Sequence, residues 1–417
     1  MGKQAQPHQA PANRAGELLV PLGFRFSAVT AGIKASGRPD LAYMEAPEGA
    51  SAAALFTTNR VVAAPVTIGR NNLKASKGCI RAIVVNAGNA NCATGAAGLR
   101  AAATVCHQAG KLLGVPATQV FPSSTGIIGV PLPVEKITTN LPQAMREAVA
   151  NVDGARAFAH AIMTTDTRPK WASARFTAGK FRRGGQEVTI MGMAKGSGMI
   201  HPNLATMLVY IFTDAVATST ELQRVLGSIT DETFNCISVD GDTSTNDTVL
   251  LCASGASAVR VGAGKAAKDF AQALTQVCAS LAGQIVSDGE GVKHVVTLRI
   301  DQAKSRSEAQ QIARAIAHSC LVKTAWAGAD PNWGRILAAI GYSGVNIDSR
   351  KVQIYFGDQQ VCRNGCAHPF DEVRAHQHLA QPAYEIHIKL GRGQASTRFV
   401  TCDLTAEYVF INADYST

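Results

Sequence analysis

The stretch "KGSGMIHPNLATML", residues 195–208, joins two kinds of sequence. Its first part is rich in Gly, Ser, Pro and Asn, a composition that favours turns. From Thr206 the chain reads "TMLVYIFTDA", an apolar run of a strand's length. The seam at Ala205–Thr206 has two readings. One is a turn leading into a core strand. The other makes Thr206 a chain terminus, because an N-terminal threonine carries its own base. An α-amine with an unperturbed pKa of roughly 7.7–8.0 is partly neutral at physiological pH and can accept the hydroxyl proton. Ala205 is small enough to let that hydroxyl reach the preceding carbonyl. These residues by themselves leave both readings open.

Outward from the seam, helix-like and strand-like segments alternate. "AIVVNAG" (Ala82–Gly88) is a short β-branched run closed by a turn, and "GLRAAATVCHQAGKLLG" after it has the spacing of an amphipathic helix. "LPVEKITTNLPQAMREAVA", "TELQRVLGSITDETF" and "FAQALTQVCASLAGQIVSDGEG" read as helices, and "SRSEAQQIARAIAHSCLVKTAWAG" as one more. "VVTLRI", "KVQIYFG", "YEIHIKLG" and "STRFVTCDLTAEYVFINADY" alternate as strands do. The expectation is an α/β or α+β fold with a substantial mixed sheet. A C-terminal subdomain is expected from about Val295, where the pattern turns to helix followed by antiparallel strands.

At 417 residues the chain is too long for one small core. Its 46% hydrophobic and 17% charged residues exclude a disordered protein, and 38 glycines imply many tight turns. No apolar run approaches the roughly 20 residues of a membrane-spanning helix. The start, "MGKQAQPHQAPANRAGELL", lacks a signal peptide's apolar core, and Gln6 stands where a myristoylation signal has Ser or Thr. A disordered first dozen residues and a cytoplasmic protein are expected. Ten cysteines, scattered singly from Cys79 to Cys402, fit reduced thiols. Their closest cluster, "CRNGCAH" with Cys362, Cys366 and His368, lacks a fourth zinc ligand and reads as a polar turn. The net charge of +10 admits nucleic acid, but the basic residues are dispersed. The densest group, "KFRRGG" (Lys180–Gly185), offers one aromatic residue, Phe181, and reads as a solvated hairpin. A protein handling anionic small molecules would carry the same excess.

No Walker loop, strand-linked G-x-G-x-x-G or H-E-x-x-H is present. Candidate chemistry therefore rests on nucleophiles and oxyanion donors. In "FPSSTGIIGVPLP" (121–133) the Thr125 hydroxyl and Gly126 N–H could form an oxyanion hole, since glycine lets backbone approach a ligand closely. An ordinary turn fits that stretch too. "MTTDTRPK" (163–170) sets three threonines around Asp166. "SVDGDTSTNDT" (238–248) places Asp240, Asp242 and Asp247 among hydroxyls, like a calcium loop without its closing Glu. "SDGEG" puts Glu290 in a Gly-flanked turn, and the chain ends "INADYST", with Asn412 and Thr417, after a strong strand that favours docking of the tail.

Ten stretches in order resemble the ornithine acetyltransferase family, the bifunctional glutamate N-acetyltransferase and amino-acid acetyltransferase of arginine biosynthesis. They are "GFRFSAVTAGIKASGRPDLAYM", "FTTNRVVAAPV", "VVNAGNANCATG", "SSTGIIG", "MTTDTRPK", "MAKGSGMIHPNLATML", "NDT", "DGEG", "ADPNWGRI" and "AEYVFINADYST", and they span nearly the whole chain. The resemblance implies a self-cleaving, N-terminal-nucleophile-like acetyltransferase fold of mixed sheets and helices. It implies a cut between Ala205 and Thr206, giving an alpha chain (1–205) and a beta chain (206–417) associated as a heterotetramer of two of each. Thr206 would be the nucleophile, with Thr125 and Gly126 as the oxyanion hole. Substrate contacts would fall on Thr164 (Thr165 the second choice), Lys195, Thr206, Glu290, Asn412 and Thr417. The implied reaction moves acetyl from N-acetylornithine to glutamate through acetyl-Thr206, with acetyl-CoA as a possible co-substrate and neither cofactor nor metal. His201 departs from the family, which commonly has a small residue after "GMI". Its expected influence is on the rate of cleavage, and no catalytic part is assigned to it.

Two other readings compete. An N-terminal-nucleophile aminopeptidase or amidohydrolase would hydrolyse where this protein would transfer. Lys195, Glu290 and the "NADYST" tail at an amino-acid-sized pocket favour transfer. A basic RNA-binding protein would bind nucleic acid in a salt-sensitive way as one intact chain.

Overall fold

The computed structural model describes residues 17–178, 186–201 and 207–414. Ala205, Thr206 and Thr417, and the "KFRRGG" group, lie outside the described residues.

The first part of the chain builds an eight-stranded mixed sheet. In chain order it comprises β1 (Arg25–Val29), β2 (Leu41–Phe56), α1 (Ala64–Ala75), β3 (Cys79–Asn89), α2 (Gly95–Leu113), β4 (Val120–Ile127), α3 (Val134–Glu147) and α4 (Val152–Ala161). It continues with β5 (Lys170–Ala178), β6 (Gln186–Lys195), β7 (Leu208–Thr213), α5 (Ser219–Glu232), β8 (Thr248–Ala253) and α6 (Gly264–Ser287). The strand order is β4-β3-β2-β8-β7-β6-β5, with β1 on β2, and the β3–β4 and β7–β8 pairs are parallel.

β7, "LVYIFT", is buried throughout, as is β8. Alternate side chains of a strand point to opposite faces, so a strand apolar at every position needs cover on both. One face sends Val209, Ile211, Val249 and Leu251 against Leu222 and Leu226 of α5 and Leu274, Val277 and Leu281 of α6. The other sends Tyr210, Phe212 and Leu250 against Phe24, Phe26 of β1 and Phe158 of α4. Phe212 meets Phe24 and Phe26 edge-on at ring centroids of 5.2 and 5.0 Å. The apolar run after residue 206 is thus the centre of the molecule's largest core.

The second sheet follows as β9 (Val295–Ala303), α7 (Arg306–Ala317), α8 (Cys320–Ala327), α9 (Trp333–Gly341), β10 (Gln353–Phe356), β11 (Gln359–Arg363), β12 (Cys366–Ala367), α10 (Glu372–Leu379), β13 (Ala383–Lys389) and β14 (Ala395–Cys402). Its order is β12-β11-β10-β13-β9-β14, antiparallel except where β13 lies parallel to β9. Val296, Leu298 and Ile300 pack there on Ile312, Ile316 and Trp326. The last helix, α11 (Ala406–Asp414), returns to the first part of the molecule, where Tyr408 and Asn412 reach Asp240 and Glu290.

Three local readings change. "SRSEAQQIARAIAHSCLVKTAWAG" is two helices, because the Ser319 hydroxyl accepts from Val322 N–H and starts a new helix. "AEYVFINADY" is helix α11 instead of strand. Thr405, whose hydroxyl accepts from Tyr408 N–H at 3.4 Å, ends the extended run before it. "SSTG" lies on β4 and not in a turn. "CRNGCAH" does contain the turn expected of it: Asn364 and Gly365, at φ of 54° and 72°, close the β11–β12 hairpin. None of the ten cysteines is paired. Among the described residues no helix is long and apolar enough to cross a membrane.

Candidate active site

The site begins where β3 and β4 end side by side. Their parallel register slips at Gly88–Asn89, and Gly126 packs against that bulge with φ of 131°. A Cβ on Gly126 would stand 2.3 Å from the Gly88 carbonyl carbon and 2.5 Å from the Asn89 nitrogen, so only glycine fits. Thr125, beside it, is buried.

β6 delivers Lys195 to the same point, opposite Leu208 in the β6–β7 register. Its Nζ lies 3.4 Å from Thr125 Oγ1. Burial lowers the pKa of this enclosed ammonium, while Asp166, Asp247 and Glu290 pull it back up. Asp166 is enclosed as well. Burial alone would raise its pKa, but Lys170, Lys195 and the Gly196 N–H outweigh that and hold it down at about 2. Its carboxylate accepts from Lys170 Nζ at 2.5 Å, Gly196 N at 2.7 Å and Thr164 N at 3.0 Å. Lys170 also donates to Asp288 at 2.5 Å, and Thr167 bonds Asp288 through both its N–H and its hydroxyl. This closed set of charges pins the Thr164–Thr165 loop to the end of α6 and to the start of the 196–201 segment. Thr165 Oγ1 then meets Ser197 Oγ at 2.7 Å.

Glu290 arrives from the turn after α6. Its N–H donates to Ser197 O at 3.0 Å, and its carboxylate lies so close over Gly198 that a Cβ there would be 2.6 Å from Oε2. Asn412 of α11 donates to that carboxylate at 2.9 Å. Thr125, Gly126, Thr164, Thr165, Lys195, Glu290 and Asn412 consequently line one cleft of about 570 Å³ of open space. Of the residues singled out from sequence for this site, all seven in the described part meet there. Ser244, Thr245, Asn246 and Gly198 line it too and were missed, as were Lys170 and Asp288 behind it. Asp166 and Lys170 stand four apart in "TTDTRPK", and Asp288 two before Glu290 in "SDGEG". That spacing was the available signal for the ion set.

His201 is not among the residues lining this cleft. Its ring lies 4.8 Å from that of His318, whose Nε2 contacts Ser238 Oγ at 3.0 Å. Burial, then the charges of His201, Lys323 and Arg314, push His318 down to about 4. Two acids of "SVDGDTSTNDT", Asp240 and Asp247, accept hydrogen bonds from backbone N–H groups. Asp240 accepts from Met199 N at 2.6 Å and Ile200 N at 2.9 Å, which holds Met199 at its unusual φ of 53°. Asp247 accepts from Met207 N at 2.9 Å. Burial raises Asp240 to about 6 and Asp247 well above the usual carboxylate range. The half-buried Asp240 and the buried Asp247 therefore hold the chain on either side of residues 202–206. Among the described residues no three His, Cys, Asp or Glu side chains are grouped to hold a metal ion.

The mixed-sheet fold thus brings hydroxyls, an ammonium and a carboxylate together in one cleft. The ArgJ family profile matches residues 25–417, and the chain belongs to that family. It is 44% identical to the arginine biosynthesis bifunctional protein ArgJ of Methylococcus capsulatus over 399 residues, which is 95% of each chain. Two solved structures are also similar. The arginine biosynthesis bifunctional protein ArgJ from Bacillus halodurans is 40% identical, with 48% of this chain and 96% of that one covered at a TM-score of 0.47. The ornithine acetyltransferase from Mycobacterium tuberculosis, complexed with ornithine, is 38% identical, with 44% and 94% covered at a TM-score of 0.39.

Proposed function

We propose that this chain cuts itself between Ala205 and Thr206 and then transfers acetyl from N-acetylornithine to glutamate, in arginine biosynthesis, through an acetyl-Thr206 ester. The observation that carries the reading is the convergence of Thr125, Gly126, Thr164, Lys195, Glu290 and Asn412 on one cleft, beside the strand that begins two residues after Thr206. Membership of the ArgJ family supports it. Thr206 Oγ attacks the acetyl carbonyl carbon while its own α-amine takes the hydroxyl proton. Thr125 hydroxyl and Gly126 N–H donate to the developing oxyanion. The bond from carbonyl carbon to ornithine nitrogen breaks, the α-ammonium returns its proton to that nitrogen, and ornithine leaves. Glutamate's neutral amine then attacks the ester, its proton passes by the same α-amine to Thr206 Oγ, and N-acetylglutamate departs. Lys195 pairs with a substrate carboxylate, and Glu290, held by Asn412, with the substrate amino group or the ornithine side chain. Thr417 is a further substrate contact, and closure of the pocket by the C-terminal tail keeps water from the ester. The 1–205 and 206–417 fragments stay together as a cytoplasmic heterotetramer, no cofactor takes part, and acetyl-CoA serves as a second acetyl donor.

Denaturing electrophoresis with intact mass tests this directly. Wild-type protein should give two fragments split at Ala205–Thr206, and Thr206→Ala a single inactive chain. An uncut wild-type chain that is nevertheless active would overturn the mechanism. Acetyl-CoA with glutamate decides the donor range, and release of free acetate without an acceptor would favour the hydrolase reading.

A further inference from the structure

The segment 244–247, just ahead of β8, enters the cleft without supplying any residue assigned to the reaction. Asn246 is buried in it, and its side-chain amide uses both hydrogens. One donates to Ala90 O at 2.7 Å and the other to Ser124 O at 2.8 Å. Its Oδ1 accepts from Thr245 Oγ1 at 2.6 Å, and its own N–H donates to Ser244 Oγ at 3.1 Å. The side chain is fully occupied and has one available orientation.

The two carbonyls it clamps lie 156 and 122 residues away in sequence. Ser124 O belongs to the peptide unit whose nitrogen is that of Thr125, so fixing it sets the plane from which Thr125 departs. Ala90 directly follows the Gly88–Asn89 bulge against which Gly126 is packed without room for a methyl group. Ser124 is gripped from its other side as well: its hydroxyl donates to Asn86 Oδ1 at 2.6 Å, while Asn86 Nδ2 donates to Asn89 O at 2.8 Å. Every member of this lattice is neutral. It can therefore immobilise the strand ends beside the Lys195 ammonium without adding a charge that would compete with an oxyanion. Donors stabilise developing charge best when they need not move to do so, and a 1 Å error in their placement is costly.

We propose that Asn246 is a positioning residue for the reaction, its two-pronged amide clamp on Ser124 and Ala90 holding Thr125 and Gly126 in their donor geometry. This rests on reading Thr125 and Gly126 as the oxyanion hole. Asn246 acts on the reacting atoms only through that pair.

The test uses the full chain with Asn246→Ser, Thr125→Ala and the double variant. The first-order rate of self-cleavage is followed on denaturing gels, and kcat and KM are measured on the cut fraction of Asn246→Ser. Asn246→Ser should slow cleavage and lower kcat together by about 10–100-fold, the range seen when supporting contacts of a site are removed. KM should stay within about three-fold, and the double variant should cleave no more slowly than Thr125→Ala does, because residues acting as one unit do not add. Wild-type rates for Asn246→Ser, or losses that multiply in the double variant, would overturn the clamp. If Asn246→Ser does not fold, Asn246→Asp keeps the shape but, when ionised, can donate to neither carbonyl. It should show the same loss, and a wild-type rate there would equally overturn the clamp. Thr125→Ala cleaving at the wild-type rate would instead sink the oxyanion reading.

Discussion

Replacing Gly126 by alanine probes the site where its geometry is least forgiving. The new Cβ would stand 2.3 Å from the Gly88 carbonyl carbon, whereas ordinary contact begins near 3.4 Å, so β3 and β4 must separate by about 1 Å. A rotamer change cannot relieve this clash, because the three nearest atoms are all backbone. Holding alanine at φ of 131° adds roughly 1–3 kcal/mol of strain. A donor displaced by 1 Å from an optimum of roughly 2.7–3.1 Å no longer makes a useful hydrogen bond, and losing one such donor costs about 2.7–4 kcal/mol of barrier, or roughly 10²–10³ in kcat. Gly126→Ala should therefore cleave at Ala205–Thr206 at least a hundred-fold more slowly, and its cut fraction should show a comparable loss of kcat with KM much less changed. Gel time courses and initial-rate assays with N-acetylornithine and glutamate measure both. Cleavage and turnover within ten-fold of wild type in a folded Gly126→Ala would refute the assignment of Gly126 to the oxyanion.

Two further outcomes concern the charges behind the cleft. Lys170→Met should destabilise the protein by about 3–5 kcal/mol in chemical denaturation, since it removes the one ammonium that touches both buried acids and leaves Asp166 with Lys195 and Asp288 with only the exposed Arg168 at 3.9 Å. A loss under 1 kcal/mol would mean water or another cation already screens them. The second outcome is a pH dependence. His318 is held at about 4, below the roughly 6.5 of an unfolded histidine, so its contribution to stability is complete above pH 6.5 and lost as pH falls toward 4, by about 3 kcal/mol. Asp240, raised to about 6, has the opposite sign in nearly the same window, because its neutral form is the one the fold prefers. The difference in unfolding free energy between wild type and His318→Asn isolates the histidine. That difference should fall steadily between pH 6.5 and 4, and a flat curve would contradict it.

Much of the architecture is legible along the chain, because periodicity is a local property. The apolar run after Thr206 identifies β7, the spacing of "GLRAAATVCHQAGKLLG" gives α2, and "TELQRVLGSITDETF" gives α5, which the Thr218–Glu221 capping box opens two residues earlier. Where two local signals conflict, the weaker-looking one decided: Ser319 splits a continuous helical pattern, and Thr405 turns an alternating apolar tail into α11. The candidate site was legible only as ordered motifs. Thr125 and Lys195 are 70 residues apart, Glu290 and Asn412 are 122, and no spacing announces that each pair meets within 3.4 and 2.9 Å.

The sequence by itself determined most of the helices and strands and which family the chain joins, since each depends on the order of neighbouring residues. Only the tertiary structure decided which polar groups share a cleft and in what charge state. Burial enclosed Asp166 with two lysines and a backbone N–H, and these outweighed the desolvation that alone would raise it, holding Asp166 at about 2. The same burial, with less compensation, raised Asp240 to about 6. The same residue type was pushed in opposite directions because desolvation and nearby charge act through space, where the number of intervening residues has no bearing.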